Sequence, residues 1–156
     1  MYIFENLWAG YIDIAIYNLD GSLKKIVHIK NSIMNVGLNM FRDALDGGVT
    51  DLQIKYCAWG SSNTAVNVAQ TTLVAEFGRK AVTSQTDGTT GQLITVTYVA
   101  PSEANTPKIE EIGWFAGAAA TSATDSGIMV ARVLYSHQKT ALEAIQVARQ
   151  DLFTGA

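Results

Sequence analysis

In Tyr11-Ile12-Asp13-Ile14-Ala15-Ile16-Tyr17-Asn18-Leu19-Asp20-Gly21, residues rich in Ile, Tyr and Ala alternate along the chain. A period of two is the signature of a half-buried strand. The run stops at Asn18-Leu19-Asp20-Gly21, which is strong hairpin punctuation, and Ser22 to Ile29 reads as the returning strand.

Working outward, the next block changes period. Asn31-Ser32 offers a helix cap, and Ile33, Val36, Gly37, Met40, Phe41, Ala44 and Leu45 recur at helical spacing until Asp46-Gly47-Gly48 ends the pattern. One short helix over about 32–46 is predicted. Asp51 to Trp59 alternates again before the polar Gly60-Ser61-Ser62-Asn63 loop. Thr72 to Phe77 reads as a single helical turn. Arg79 to Gln85, Gln92 to Val99, Lys108 to Phe115, Ile128 to Tyr135 and Ala144 to Phe153 follow as strands. The breaks are Asp87-Gly88, the segment from Pro101 to Pro107, and Gly117 to Gly127, read as an exposed hairpin loop. Many short strands with one helix predict a mainly β fold: an antiparallel sandwich, jelly roll or barrel.

At 156 residues the chain is of single-domain size, and no composition shift marks an internal boundary. The expected division is an N-terminal arm over 1–10 and one β-rich domain over 11–156. Hydrophobic residues make up 48% and charged residues 16%. That charge is below the roughly 25% usual for soluble domains and predicts apolar surface facing another subunit. A net charge of −3 supplies no basic field for nucleic acid, and Lys24, Lys25 and Lys30 form only a diluted cluster. No signal peptide or membrane span is evident.

Chemistry-bearing groups are sparse. His28 and His137 are the only histidines, in neither a metal nor a triad spacing, and no phosphate-loop, GxSxG or CxxC motif occurs. No catalytic residue, metal or cofactor is assigned. Cys57, within Tyr56-Cys57-Ala58-Trp59, reads as a packed thiol. Glu110 and Glu111 are adjacent, so on a strand they point to opposite faces and one is directed inward. An inward carboxylate demands a cation or backbone donors. Glu76, Arg79, Glu111 and Arg132 are the candidates for structural ion pairs. Arg79, Lys80 and Arg132 are the cations available to an inward carboxylate, with Arg132 in Met129-Val130-Ala131-Arg132-Val133-Leu134 read as an internal tie and an exposed strand arginine as the competing reading. Tyr2, Ile3, Phe4, Leu7 and Trp8 make the arm apolar, and they are the candidate interface with a neighbouring subunit. Docking on the chain's own core is the competing reading. Trp59 and Trp114 are read as core residues, with a carbohydrate-stacking role as the alternative.

Several segments, in order, carry a resemblance: Asn31 with Val36-Gly37; Ala58-Trp59-Gly60-Ser61; Thr72-Leu73-Val74-Ala75-Glu76-Phe77-Gly78-Arg79-Lys80; Ile109-Glu110-Glu111-Ile112-Gly113-Trp114-Phe115; Gly127-Ile128-Met129-Val130-Ala131-Arg132-Val133; and Lys139. Spanning roughly residues 31–150, they are similar to small structural proteins of tailed bacteriophages, including head decoration proteins and tail or fibre attachment modules. Trp59 before the glycine and Trp114 before Phe115 depart from that pattern, and there is no long fibre extension. The resemblance implies a non-enzymatic virion protein, made in the host cytoplasm. Its implied role is capsid decoration (a cement protein), as a homo-oligomer such as a trimer on the major capsid protein. A tail, baseplate or fibre-base component is the alternative, and a carbohydrate-binding β module a further one.

Overall fold

The computed structural model describes residues 8–154. In chain order the elements are β1 (Trp8–Asn18), β2 (Leu23–Lys30), β3 (Ser32–Ile33), α1 (Asn35–Leu45), β4 (Ile54–Gly60), β5 (Glu76–Ala81), β6 (Ser84–Asp87), β7 (Gln92–Val99), β8 (Ile109–Ala116), β9 (Ile128–His137) and β10 (Glu143–Phe153). They form two five-stranded sheets, β2-β1-β10-β7-β6 and β3-β9-β8-β4-β5. Every strand pair is antiparallel, and the fold is a β-sandwich rather than a closed barrel.

The β1–β2 hairpin follows its turn chemistry. Gly21 takes the left-handed conformation at φ 82°, and Asp20 accepts from the Ser22 amide at 2.9 Å. β1 then pairs along its whole length with β10, from Trp8 opposite Phe153 to Asn18 opposite Glu143. Alternation sends Ile12, Ile14 and Ile16 inward with Ile145 and Val147 of β10. There they meet Cys57, Trp59, Ile112, Trp114 and Val133 of the second sheet in one core.

A second, smaller core lies around Met34, Ala58, Leu73, Phe115, Ala120 and Met129. Ala58 and Phe115 neighbour residues of the main core along β4 and β8, so the second sheet is buried on both faces. Its cover is the chain's own loops, the 61–75 segment supplying Leu73 and the 117–127 segment supplying Ala120. Gly117 to Gly127 is the expected hairpin loop between β8 and β9, mostly exposed, with Ala120 turned down onto the sheet. α1 crosses β9 at Gly37, where an added Cβ would lie 2.9 Å from the Val130 Cα. A glycine is required for that approach.

Four expectations are corrected. α1 begins at Asn35 with Met34 as N-cap and no side-chain cap, because Ser32 and Ile33 pair with β9 and the Met34 amide donates to Val130 O at 3.0 Å. Sheet pairing there displaces the Asn31-Ser32 cap. The Thr72–Phe77 segment makes no helical turn: Leu73 enters the smaller core and Glu76 opens β5. The expected Arg79–Gln85 strand is two strands in different sheets, the chain changing layer at Val82-Thr83. Finally, the arm boundary at residue 10 is too late, since Trp8, Ala9 and Gly10 are paired within β1.

Candidate functional site

Buried charged pairs tie the chain's loops to the second sheet. Glu111, on β8, and Arg132, on β9, are fully buried and paired at 2.8 Å. Glu111 also accepts from the Val74 and Ala75 amides at 3.1 and 2.8 Å. Arg132 donates in addition to Gln70 Oε1 at 3.1 Å and Thr64 O at 2.9 Å. The pair therefore fastens the 61–75 loop to the second sheet, and both carboxylate oxygens are engaged. Gly60 leaves room for this, since an added Cβ would collide with the Glu111 carboxylate and lie 2.8 Å from Ala75 O.

Glu76 and Arg79 form the matching staple for the other loop. They pair side by side, Nε to Oε1 at 2.6 Å and Nη2 to Oε2 at 2.8 Å, and both side chains are buried. Arg79 Nη1 reaches Ser126 O and Thr121 O at 2.9 and 3.1 Å, and the Asp125 amide donates to Glu76 at 3.2 Å. The guanidinium also lies 4.3 Å from the Phe115 ring centroid. Glu110, by contrast, faces the other way and pairs with Lys108 at 2.7 Å.

Two further buried charge groups lie outside the expected ion-pair set, and of their members the sequence pointed only to Lys139, within the resemblance. Lys139 Nζ binds Pro101 O at 3.0 Å and Asn105 Oδ1 at 3.1 Å, and burial holds its ammonium below the ordinary lysine range. Nearby Glu143 accepts from Lys24 at 2.8 Å and His137 at 2.7 Å. Burial pushes this carboxyl upward, but those two hydrogen bonds, the charge of His137 and the Thr140 amide together hold the group below its ordinary value. The second group is Arg149 with Asp151, Nε to Oδ1 at 3.1 Å, with the Trp8 indole donating to the same oxygen at 2.7 Å. Arg149 and Asp151 continue the inward register of Ile145 and Val147, which is the signal that would have found them.

Asp151 lies against a cavity of ≈ 330 Å³ at one end of the sandwich. Its walls include Trp8, Phe41, Leu52, Leu93 and Phe153. Trp8 and Phe153 stack at 5.3 Å, Phe41 and Phe153 at 5.9 Å. The Asp151 Oδ2 atom is buried without a hydrogen-bond partner. The cavity is thus apolar with one unfilled acceptor.

The outer face of the first sheet is the remaining feature. Register places Ile26, Ala15, Gln146 and Tyr98 on one rung. His28, Asp13, Ala148, Val96 and Ser84 form the next, and Lys30, Tyr11, Gln150, Ile94 and Thr86 a third. Across the three central strands these rungs carry one charge, Asp13, which His28 meets at 2.6 Å. Tyr11, Ile26 and Tyr98 are exposed.

Of the residues expected to act at an interface, Trp8 lies in β1 and the cavity wall, and Tyr2, Ile3, Phe4 and Leu7 lie outside the described residues. Trp59 and Trp114 are 7% and 0% exposed, so neither presents a stacking face for a sugar. Cys57 is buried and its thiol is pushed up to about 12 by desolvation. Among the described residues no group of His, Cys, Asp and Glu is placed to hold a metal ion. Compared with family models, curated proteins and solved structures, the chain has no match.

Proposed function

We propose that this chain is a structural protein that works by assembling, and that its setting is a bacteriophage virion, as a decoration protein on the capsid lattice. One observation carries the assembling role: among the described residues, the outer face of the first sheet carries a single charge across its three central strands and exposes Tyr11, Ile26 and Tyr98, while the second sheet is overlaid by the chain's own loops. An apolar and tyrosine-bearing sheet face of this extent is an association surface. The buried ion pairs support the same reading, since each one engages a loop or a neighbouring strand and presents no free base to solvent. The virion setting rests on the ordered sequence resemblance.

The test has two stages. Light scattering and native mass spectrometry of the purified chain are expected to give a discrete symmetric oligomer. Val96→Glu, placed on the central rung, is expected to disperse it while leaving the thermal midpoint within a few degrees. A chain that stays monomeric at high concentration would remove the proposal. Incubation with expanded, undecorated phage shells then asks for saturable binding, and its absence at stoichiometric excess would remove the decoration role while leaving self-assembly standing.

A further inference from the structure

The cavity at the end of the sandwich has an unfilled requirement. Its walls are mostly aromatic and aliphatic, with the amides of Gln53 and Gln85 among them, and its one acceptor that is wholly buried without a donor is Asp151 Oδ2. Trp8 Nε1 and the Nε and Nη2 of Arg149 all donate to the other oxygen, Oδ1, while Arg149 Nη1 is buried without an acceptor. A matching occupant brings apolar rings and a single hydrogen-bond donor.

The chain carries such a group. Immediately before Trp8 stand Met1-Tyr2-Ile3-Phe4-Glu5-Asn6-Leu7. In an extended segment Tyr2 and Phe4 share one face. Together they offer two rings and one hydroxyl. We propose that the cavity is the socket for Tyr2 and Phe4 of a second copy of this chain, with the Tyr2 hydroxyl donating to Asp151 and Phe4 joining the Trp8, Phe41 and Phe153 rings.

The choice of a second copy follows from direction and reach. Trp8 is held in β1 opposite Phe153 and its own ring is a wall of the cavity. To enter the same cavity, the segment would have to reverse within the three residues Glu5-Asn6-Leu7, of which only Asn6 favours a turn. Extended, seven residues span about 23–25 Å. That exceeds the roughly 15 Å radius of gyration expected for a domain of this size. The segment is long enough to cross to a neighbour, and each copy that donates one also offers a socket, as closed symmetry requires.

This inference rests on the assembling role proposed above, and the experiment separates the two. A photoreactive phenylalanine analogue is placed at position 4 in the full chain, and isotope-labelled and unlabelled copies are mixed, assembled and irradiated. Cross-links from position 4 to the segments around Phe41, Leu52 or Phe153, joining labelled to unlabelled copies, are the expected result. Tyr2→Phe, which keeps the ring and removes the donor, is expected to weaken assembly by about ten-fold, as loss of a bond to a charged acceptor implies. Leu52→Glu, at a half-exposed wall position, is expected to do the same with an unchanged circular dichroism spectrum. Cross-links confined to one copy, or to any other surface, overturn the socket. An oligomer indifferent to both substitutions overturns it too and leaves the sheet face as the assembling surface. A monomeric full chain overturns both.

Discussion

Glu111→Gln isolates the worth of the staple under the 61–75 loop. The substitution keeps shape and removes charge, leaving the guanidinium of Arg132 buried with only Gln70 and Thr64 as partners. Breaking one side of a buried pair costs about 3–5 kcal/mol. For a domain of this size each kcal/mol moves the midpoint by about 2–4 °C, so a fall of about 6–20 °C is expected by calorimetry. The double variant Glu111→Gln with Arg132→Met removes the stranded charge and should recover part of that loss. It should not recover all of it, because the Val74 and Ala75 amides lose a carboxylate acceptor and orphaned donors cost about 1–3 kcal/mol each where water does not reach them. Hydrogen exchange should then show faster opening at residues 61–75 with β1 and β10 unchanged. A single variant that loses less than about 1 kcal/mol, or a double variant more stable than the parent, would refute the staple: the pair would then be an expense of burial with no loop to hold.

Three further expectations follow from separate parts of the molecule. Gly37→Ala presses a Cβ to 2.9 Å from the Val130 Cα and 3.1 Å from its carbonyl oxygen, backbone atoms that cannot swing aside. The forced shift costs about 1–3 kcal/mol against about 1 kcal/mol regained in helix propensity, and a gain in denaturation midpoint would contradict the close crossing. Cys57, its thiol pushed up to about 12 by burial, should resist a disulfide reagent in the native state and react fully after denaturation, whereas fast native labelling would place it elsewhere. For Glu143 the folded-state value is depressed below the ordinary 4.5, so its contribution to stability is full above that value and is lost as pH falls through the depressed one. The midpoint difference between the parent and Glu143→Gln should therefore be largest near neutrality and shrink below pH 4.5, and a difference constant with pH would show that Lys24 and His137 do not hold the charge.

Where one face of a strand meets a core and the other meets solvent, the chain announced its structure. β1 and β2 were legible because Ile12, Ile14 and Ile16 alternate with Tyr11, Asp13 and Tyr17 and end at a turn whose residues have only one comfortable geometry. The Glu76, Arg79, Glu111 and Arg132 set was legible for a different reason: charges inside apolar strands must be matched, and candidates were few. What could not be read was which distant segment would meet them. Thr72–Phe77 has helical spacing, yet the Glu111 carboxylate takes two of its amides and holds it open, a tertiary hydrogen bond overriding a local preference. Ser32 likewise lost its capping role to β9, 100 residues further along the chain, where it pairs with Arg132. Glu143, Arg149 and Asp151 were passed over, and Lys139 stood out only within the resemblance, because polar residues near a strand end read as solvated until register shows which way they point.

The two sheets spend their polar residues in opposite ways. The second sheet directs Glu111, Arg132, Glu76 and Arg79 outward from the central core and uses them to fasten loops, so its far side becomes a second interior. The first sheet turns its buried pair, Arg149 and Asp151, inward, and across its three central strands the outer rungs carry Tyr, Ile, Val, Ala and Gln with Asp13 as the one charge. A lone sandwich gains nothing from that asymmetry, since a solvent-facing sheet is most soluble when its outward residues are charged. Gln146, Gln150 and the exposed tyrosines are suited instead to a surface that is wet at one stage and covered at another: amides and phenols satisfy hydrogen bonds in water and keep them at an interface, without the desolvation cost of lysine or glutamate. Buried ion pairs hold loops over one side of the molecule, and the proposed assembling role assigns the weakly charged rungs of the other side to a partner.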